Sequence, residues 1–457
     1  MKMKKIMAVA LIMILAIGSV FANGAAEADA PQVLKVAGLK GAYGDEYWKL
    51  LEAGFEKAYP NVDVQLTIAS NVEDIVNPLI MAGEGPDVFY IATNREARLT
   101  ETMLSTNSLV DLSGLLEKKV YGEDVLLKDR LIGKFVEEAN ATNDGVLMLP
   151  LFFSSNGLFY NADLFYANNG NGVEDAKVDG KYEIPTDWDE FLQLGEILNE
   201  ERKSNPDTPY LFTYPTAGYL DCLIPATIIS AAGHDVAQQA FSYEPVWNTP
   251  EVRKVFEYLG ALKDYLLPTT VANANGSNFR KNQQAVIDGK ALFMCNGDWV
   301  KGEMKDTTPE GFNWGSMPYL GFGGERFGII NIEQLWVTKD TQVMPIVEDF
   351  ILYMFSREGL QCFVDGCNGG FVPADVFIDL ADASPNYNAA ANDGFRGYYD
   401  GSASFIGWSS FKPVEVAGVN WKATYCEYMD SVMNGSKTVD QWIDQLMADS
   451  AKLQAAL

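Results

Sequence analysis

The sequence predicts an α/β fold of two lobes, joined by a hinge that the chain crosses more than once, with a cleft between them. Three observations predict it. At 457 residues the chain exceeds one typical domain, so two lobes are the default. Short apolar or alternating runs interleave with helical patterns, the arrangement that builds parallel sheets. The third is the stretch 145–165, GVLMLPLFFSSNGLFYNADLF. Two apolar runs there flank Ser154, Ser155, Asn156 and Gly157 and read as two buried strands. They are joined without a helix or tight hairpin, as when a chain passes from one sheet to another. The polar set would lie at the crossing.

The elements follow in order. Lys2, Lys4 and Lys5 precede the apolar run Ile6–Ile17, and Val20-Phe21-Ala22 ends in a small residue. This is the pattern of a signal peptide over 1–22, cleaved near Ala22. No Cys follows it, so a lipid anchor is not expected, and 23–31 reads as a flexible leader. Val33–Gly38 alternates as a strand and opens into the glycine-containing loop 40–44. Trp48, Leu51, Phe55 and Ala58 sit at helical spacing, and Val62–Ile68 is a second strand. A short helix over 73–81 ends in Gly83-Glu84-Gly85-Pro86 and a buried strand over 88–91. Asn94 and Arg95 lie just past the carboxyl end of that strand, where open α/β sheets hold ligands.

After the crossing, Thr186 or Asp187 caps a helix that turns Trp188 and Phe191 inward. Helices are expected over 220–232, from Pro250, and over 279–289. A strand over 291–294 then leads to Asn296-Gly297-Asp298-Trp299. Trp314–Pro318 is expected to be a second crossing. Phe327–Val337 is expected to form two strands around the loop Asn331–Gln334, followed by a helix over 346–355. Closing helices are expected over 421–433 and 439–453.

Composition narrows the function. The formal net charge of −28 argues against nucleic acid as a partner and disfavours anionic membranes. A single histidine, His234, argues against histidine-based catalysis and histidine-rich metal sites, and no cofactor is expected. No GxSxG, HExxH or phosphate-loop motif occurs. Asp187 and Asp189 lie at a helix start and read as caps rather than as a glycosidase pair. Five cysteines contain no CxxC pair. Cys362 and Cys367 could pair across a glycine-rich loop or remain thiols.

The crossing stretch, FEKAYPNVDV at 55–64, the Gly85-Pro86-Asp87 turn and FRKNQQAVIDGKALFMCNGDW at 279–299 resemble one family. It is the extracellular solute-binding proteins of ABC importers, in their carbohydrate-binding group related to maltose-binding protein. The resemblance implies the two-lobed periplasmic-binding-protein fold. Lobe 1 would hold 32–152 and 319–370, and lobe 2 would hold 153–318 and 371–457, with 370–373 as a third crossing. It implies an exported, periplasmic, monomeric protein with no enzymatic activity. Such a protein captures a small solute, more readily an oligosaccharide than a monosaccharide, and delivers it to permease subunits by lobe closure.

The resemblance also implies site residues. Trp299 would be delivered to the cleft after a strand, and Trp421 matches a ligand-stacking position. Asn94 and Arg95 match an acidic-basic pair that binds sugar hydroxyls, with Asn replacing the acid. Tyr43 matches a cleft loop, and Ser154 stands where the maltose-binding relatives carry a glutamate. From position alone, Trp408 lies in a Gly- and Ser-containing loop free to reach a ligand. Glu333 and Asn331 would sit at a loop tip, and Tyr219 and Asp221 precede a helix of the second lobe. Two alternatives stay open: the same fold holding a polyamine, glycerophosphodiester or peptide, and a secreted carbohydrate-active enzyme.

Overall fold

The computed structural model describes residues 31–41, 43–92, 95, 97–141, 143–165, 180–323, 326–367, 370–384, 396–399, 401, 404–407 and 416–457. The expected signal segment therefore lies outside the described residues, as does nearly all of the leader. No described helix is long and apolar enough to cross a membrane.

The first strands obey the sequence pattern. β1 (Gln32–Leu39) runs parallel to β2 (Val62–Ala69) and to β3 (Val88–Ala92). The helix Glu46–Ala58 between β1 and β2 buries Tyr47, Trp48, Leu51 and Phe55, the face its spacing announces.

The crossing stretch differs from its expectation in an instructive way. It is one unbroken strand, β4 (Leu149–Asn161), rather than two strands and a turn. The polar set needs no turn because neighbouring strands pair its backbone throughout. β8 (Phe327–Val337) lies antiparallel to β4 from Leu149 to Asn156. β6 (Ala291–Gly297) and β7 (Trp314–Met317) then take over from Asn156 to Asn161. The register shifts between Pro150 and Phe152, which leaves Leu151 as the extra residue of a bulge. A proline cannot donate to the ladder, so a bulge beside it is a natural relief.

β8 is likewise continuous, so Asn331 and Glu333 lie in a strand and not at a loop tip. Its Asn-Ile-Glu-Gln centre looked like a turn by composition. In space β3 and β4 hold Glu333 in register on both sides. Trp314–Met317, expected as a crossing, is β7, held wholly against the last residues of β4. The second passage of the chain is β8. The strand order is β2-β1-β3-β8-β4-β6-β5, with β5 (Tyr210–Thr213) at the far edge and β9 (Ser404–Gly407) parallel to β8.

Two apolar cores flank this sheet. One gathers β1, β3, the first part of β4, and the helices Met344–Met354 and Arg357–Gly366. The other gathers Leu158, Tyr160, Trp188, Phe191, Tyr319, Leu320, Ile329 and the helices Asp221–Ala232, Pro250–Ala261 and Val439–Gln454. Phe371, Val372, Phe377, Tyr398 and Phe405 pack into the first core, although the sequence reading put 371 onward in the second lobe. Backbone bonds explain it. Phe153 N–H donates to Phe371 O at 2.9 Å, and Ile132 N–H to Pro373 O at 2.9 Å. The buried Arg130 guanidinium adds a bond to Asp375 at 2.6 Å. Tyr319, Leu320 and Ile329 lie in the second core, where 319 onward was expected in the first lobe.

The caps read from sequence are present. Asp187 accepts from Glu190 N–H at 2.9 Å, and Glu190 reaches back to Thr186 N–H at 2.7 Å. All five cysteines are unbridged thiols.

Gly157 marks a tight backbone contact beside the crossing. A Cβ there would sit 2.3 Å from the Met317 carbonyl oxygen of β7. Gly157→Ala should therefore lower stability by about 1–3 kcal/mol, as overpacking does. Urea unfolding should show a lower midpoint with an unchanged slope.

Candidate functional site

Strand alternation assembles the site. Residues 152, 154 and 156 of β4 share one sheet face. Cross-strand partners share that face too: Glu333 faces Phe152, Asn331 faces Ser154, and Gly297 faces Asn156. In the first lobe, Phe152 on this face is roofed by aromatic rings, with Tyr43 at 5.2 Å and Tyr47 at 5.3 Å. In the second, Leu158 and Ile329 continue it under the second core. The polar residues Ser154, Asn156, Asn331 and Glu333 occupy the floor between the two roofs.

The Gly297–Trp299 turn supplies the wall. The indole of Trp299 lies so close over Gly297 that a Cβ would stand 2.2 Å from its ring. Only glycine permits this seat. Trp299 stays partly exposed and packs against both cores. The Tyr219 ring is 5.9 Å from it, and the Tyr219 hydroxyl donates to Glu303 at 2.9 and 3.1 Å. Gln283 Nε2 also donates to Glu303, at 2.8 Å.

Across the floor, the Tyr43 hydroxyl donates to both Asp298 oxygens, at 3.3 and 3.4 Å. This bond joins the loop after β1 to the turn after β6. Burial pushes the Asp298 carboxyl well above the usual range, against the opposing bond from Tyr43. Burial also raises the Tyr43 phenol, with help from Asp298 and Glu333. The Tyr90 hydroxyl donates to Glu333 Oε2. Protein surrounds Glu333, yet part of its side chain remains reachable from the cleft, and burial pushes it up to about 8. Burial thus drives these carboxyls toward neutrality, while the phenol donors oppose the shift. Asn156 is 1% exposed, and neither end of its amide has a hydrogen-bond partner. Among the described residues no group of three metal-type side chains gathers.

The structure brings together Tyr43, Ser154, Asn331, Glu333, Trp299 and Tyr219. It places three others elsewhere. Arg95 spends its guanidinium on Glu73, at 2.7 and 2.9 Å, and on Ser70 O at 3.1 Å. Burial alone would raise Glu73, but Arg95 holds it below the usual carboxylate range. Trp421 belongs to an aromatic group with Tyr243 at 5.3 Å, Trp247 at 5.5 Å and Tyr425 at 5.9 Å. Asp221 opens the helix Asp221–Ala232 with Lys422 Nζ 3.9 Å away. Asn94 and Trp408 lie outside the described residues. Sequence reasoning missed Asp298, Tyr90 and Glu303. The signal for Asp298 was present, since it directly precedes the singled-out Trp299; the others needed the strand pairing.

Comparison with known proteins agrees with this architecture. Residues 38–361 match the family described as bacterial extracellular solute-binding protein. Apo-form RafE from Streptococcus pneumoniae is similar at a TM-score of 0.69 and 18% identity, over 95% of this chain and 100% of that one. The sugar-binding protein MalE from Xanthomonas citri gives 0.66 and 17%, over 93% and 98%. A probable secreted solute-binding lipoprotein from Streptomyces coelicolor gives 0.67 and 16%, over 92% and 99%. With the matched span covering well over half its length, the chain belongs to the bacterial extracellular solute-binding proteins.

Proposed function

We propose that this protein is the exported capture component of an ABC importer and holds a carbohydrate, an oligosaccharide, between its lobes. The observation that supports it is one partly exposed indole, Trp299, set beside polar groups on a single sheet face. A sugar presents a C–H face to an aromatic ring and hydroxyls to amides and carboxyls. Trp299 offers the first; Asn156, Asn331, Ser154 and Glu333 offer the second. The printed description of MalE as sugar-binding supports the same class. A polyamine would need ionised carboxylates, whereas Glu333 and Asp298 are pushed toward their neutral forms. Ligand contacts to both lobes would stabilise the closed state, which the permease then reads.

A thermal-shift screen of the mature protein against mono- and oligosaccharides, polyamines and glycerophosphate compounds tests the reading. A sugar at a hundred times its Kd should stabilise by about 2.7 kcal/mol. Trp299→Ala should remove that response. Gly297→Ala should weaken it too, because the added methyl evicts the indole from its seat. A polyamine response with every sugar silent would overturn the carbohydrate assignment.

Glu333 gives a pH signature. The folded protein keeps its proton up to about 8, whereas the ordinary carboxyl value is 4.5. Between those values the unfolded chain binds fewer protons, so stability falls as pH rises through that window. Glu333→Gln should flatten this part of the profile, measured as melting temperature against pH without ligand. Asp298, shifted in the same direction, should leave a residual slope.

A further inference from the structure

Tyr43 reaches the site but has no part in the sugar reading. It sits in a tight turn closed by Gly44 N–H, which donates to Gly41 O at 3.2 Å, with Gly44 at a φ of 85°. An ion pair between Lys40 Nζ and Asp45, at 2.8 Å, braces that turn from outside. From there the Tyr43 ring lies on Phe152 of the floor, 5.2 Å between centroids. Its hydroxyl continues to Asp298, at 3.3 and 3.4 Å. Ser154 of the floor is the other polar group at that hydroxyl.

The two ends of this bond come from distant parts of the sheet. β1, which delivers Tyr43, pairs with β2 and β3, whereas β6, which delivers Asp298, pairs with β4 and β5. The strand order puts β1 and β6 four spacings apart. Across a flat sheet that is about 19 Å, at about 4.8 Å per strand. The bond therefore exists because the turn of the first lobe leans over the waist onto the turn of the second. It is sheltered there, with Tyr43 4% exposed and Asp298 2%. Were the lobes to part, water would satisfy both groups, so the net worth of the bond is modest. A reversible catch needs that scale, enough to bias closure and too little to lock it.

Asp298 is also tied to the aromatic wall. Its backbone N–H donates to Ser155 O at 3.3 Å, and the next residue is Trp299, whose indole covers Gly297. A pull on the Asp298 side chain from across the cleft is thus delivered to the residue that carries the indole.

We propose that Tyr43 and Asp298 are the latch of the cleft: their bond forms as the lobes come together, holds the closed state and fixes Trp299 in its seat in the same movement. Both are positioning residues, acting on the wall rather than on the solute. The inference rests on the lobe-closure part of the reading above and not on which solute is held.

Amide hydrogen exchange on the mature protein, with no solute added, tests the latch, because it reads the population of local opening. Tyr43→Phe keeps the ring on Phe152 and removes the donor. Asp298→Leu removes the acceptor, and Asp298→Asn keeps one. Burial favours the uncharged carboxyl, so the amide is a close substitute. Tyr43→Phe should speed exchange across the cleft, in 296–303, by about two- to tenfold, the scale of one hydrogen bond. Asp298→Leu should do the same in 38–47, and Asp298→Asn should stay near wild type. The Tyr43→Phe/Asp298→Leu double variant should exchange no faster than the faster single one, since both remove one interaction. Should Asp298→Leu fail to fold, Tyr43→Phe and Asp298→Asn still decide the matter. Faster exchange confined to the substituted segment, or effects that add in the double variant, overturn the latch and leave the sugar reading standing. Silence of every sugar in the thermal screen overturns that reading and leaves the latch standing.

Discussion

The structure depends on one backbone constraint: two strands, β4 and β8, must run unbroken through the junction of the lobes. Among the described residues, the sheet at Ser154 and Asn331 is two strands wide. β9 leaves β8 at Ile330, and β3 joins it at Glu333. On the other edge, the Phe371 bridge reaches Phe153, and β6 begins at Asn156. The two strands satisfy each other's backbone groups across this stretch. Two-stranded ribbons twist more readily than wide sheets. The narrowest point is therefore also where the lobes can turn with the least loss of pairing. On one face, apolar roofs stop on either side of the waist, and the floor between them is polar.

The same alternation sets the electrostatics. On the face carrying Ser154, Asn156, Asn331 and Glu333, Asn331 and Glu333 are partly exposed while Ser154 and Asn156 are buried. The opposite face carries Phe153 and Ser155, backed by Phe371 and by Tyr398, whose hydroxyl lies 3.2 Å from Ser155 Oγ. One side of the waist is thus packed, and the other keeps two partly exposed polar side chains. Carboxyls on that other side are enclosed enough to be pushed toward neutrality. Phenols supply much of their hydrogen bonding: Tyr43 on Asp298, Tyr90 on Glu333 and Tyr219 on Glu303. A neutral or singly hydrogen-bonded carboxyl keeps a lone pair for a hydroxyl, which suits a saccharide better than a cation.

Much of this was legible in the sequence, for local reasons. The strand–helix–strand start, the cap at Asp187 and the burial of Trp48 and Phe55 follow from spacing and cap chemistry alone. Trp299 was legible as a residue placed after a strand. Misreadings arose where tertiary pairing overrules composition. Ser154–Gly157 and Asn331–Gln334 look like turns, yet neighbouring strands hold them extended. Phe371, Val372 and Phe377 pack into the first core, against the sequence reading, because the Arg130 bond to Asp375 and the Phe153 bridge tie this stretch from far away in sequence. Arg95 looked like a ligand contact because nothing local reveals that Glu73, 22 residues earlier, would take both arms of its fork.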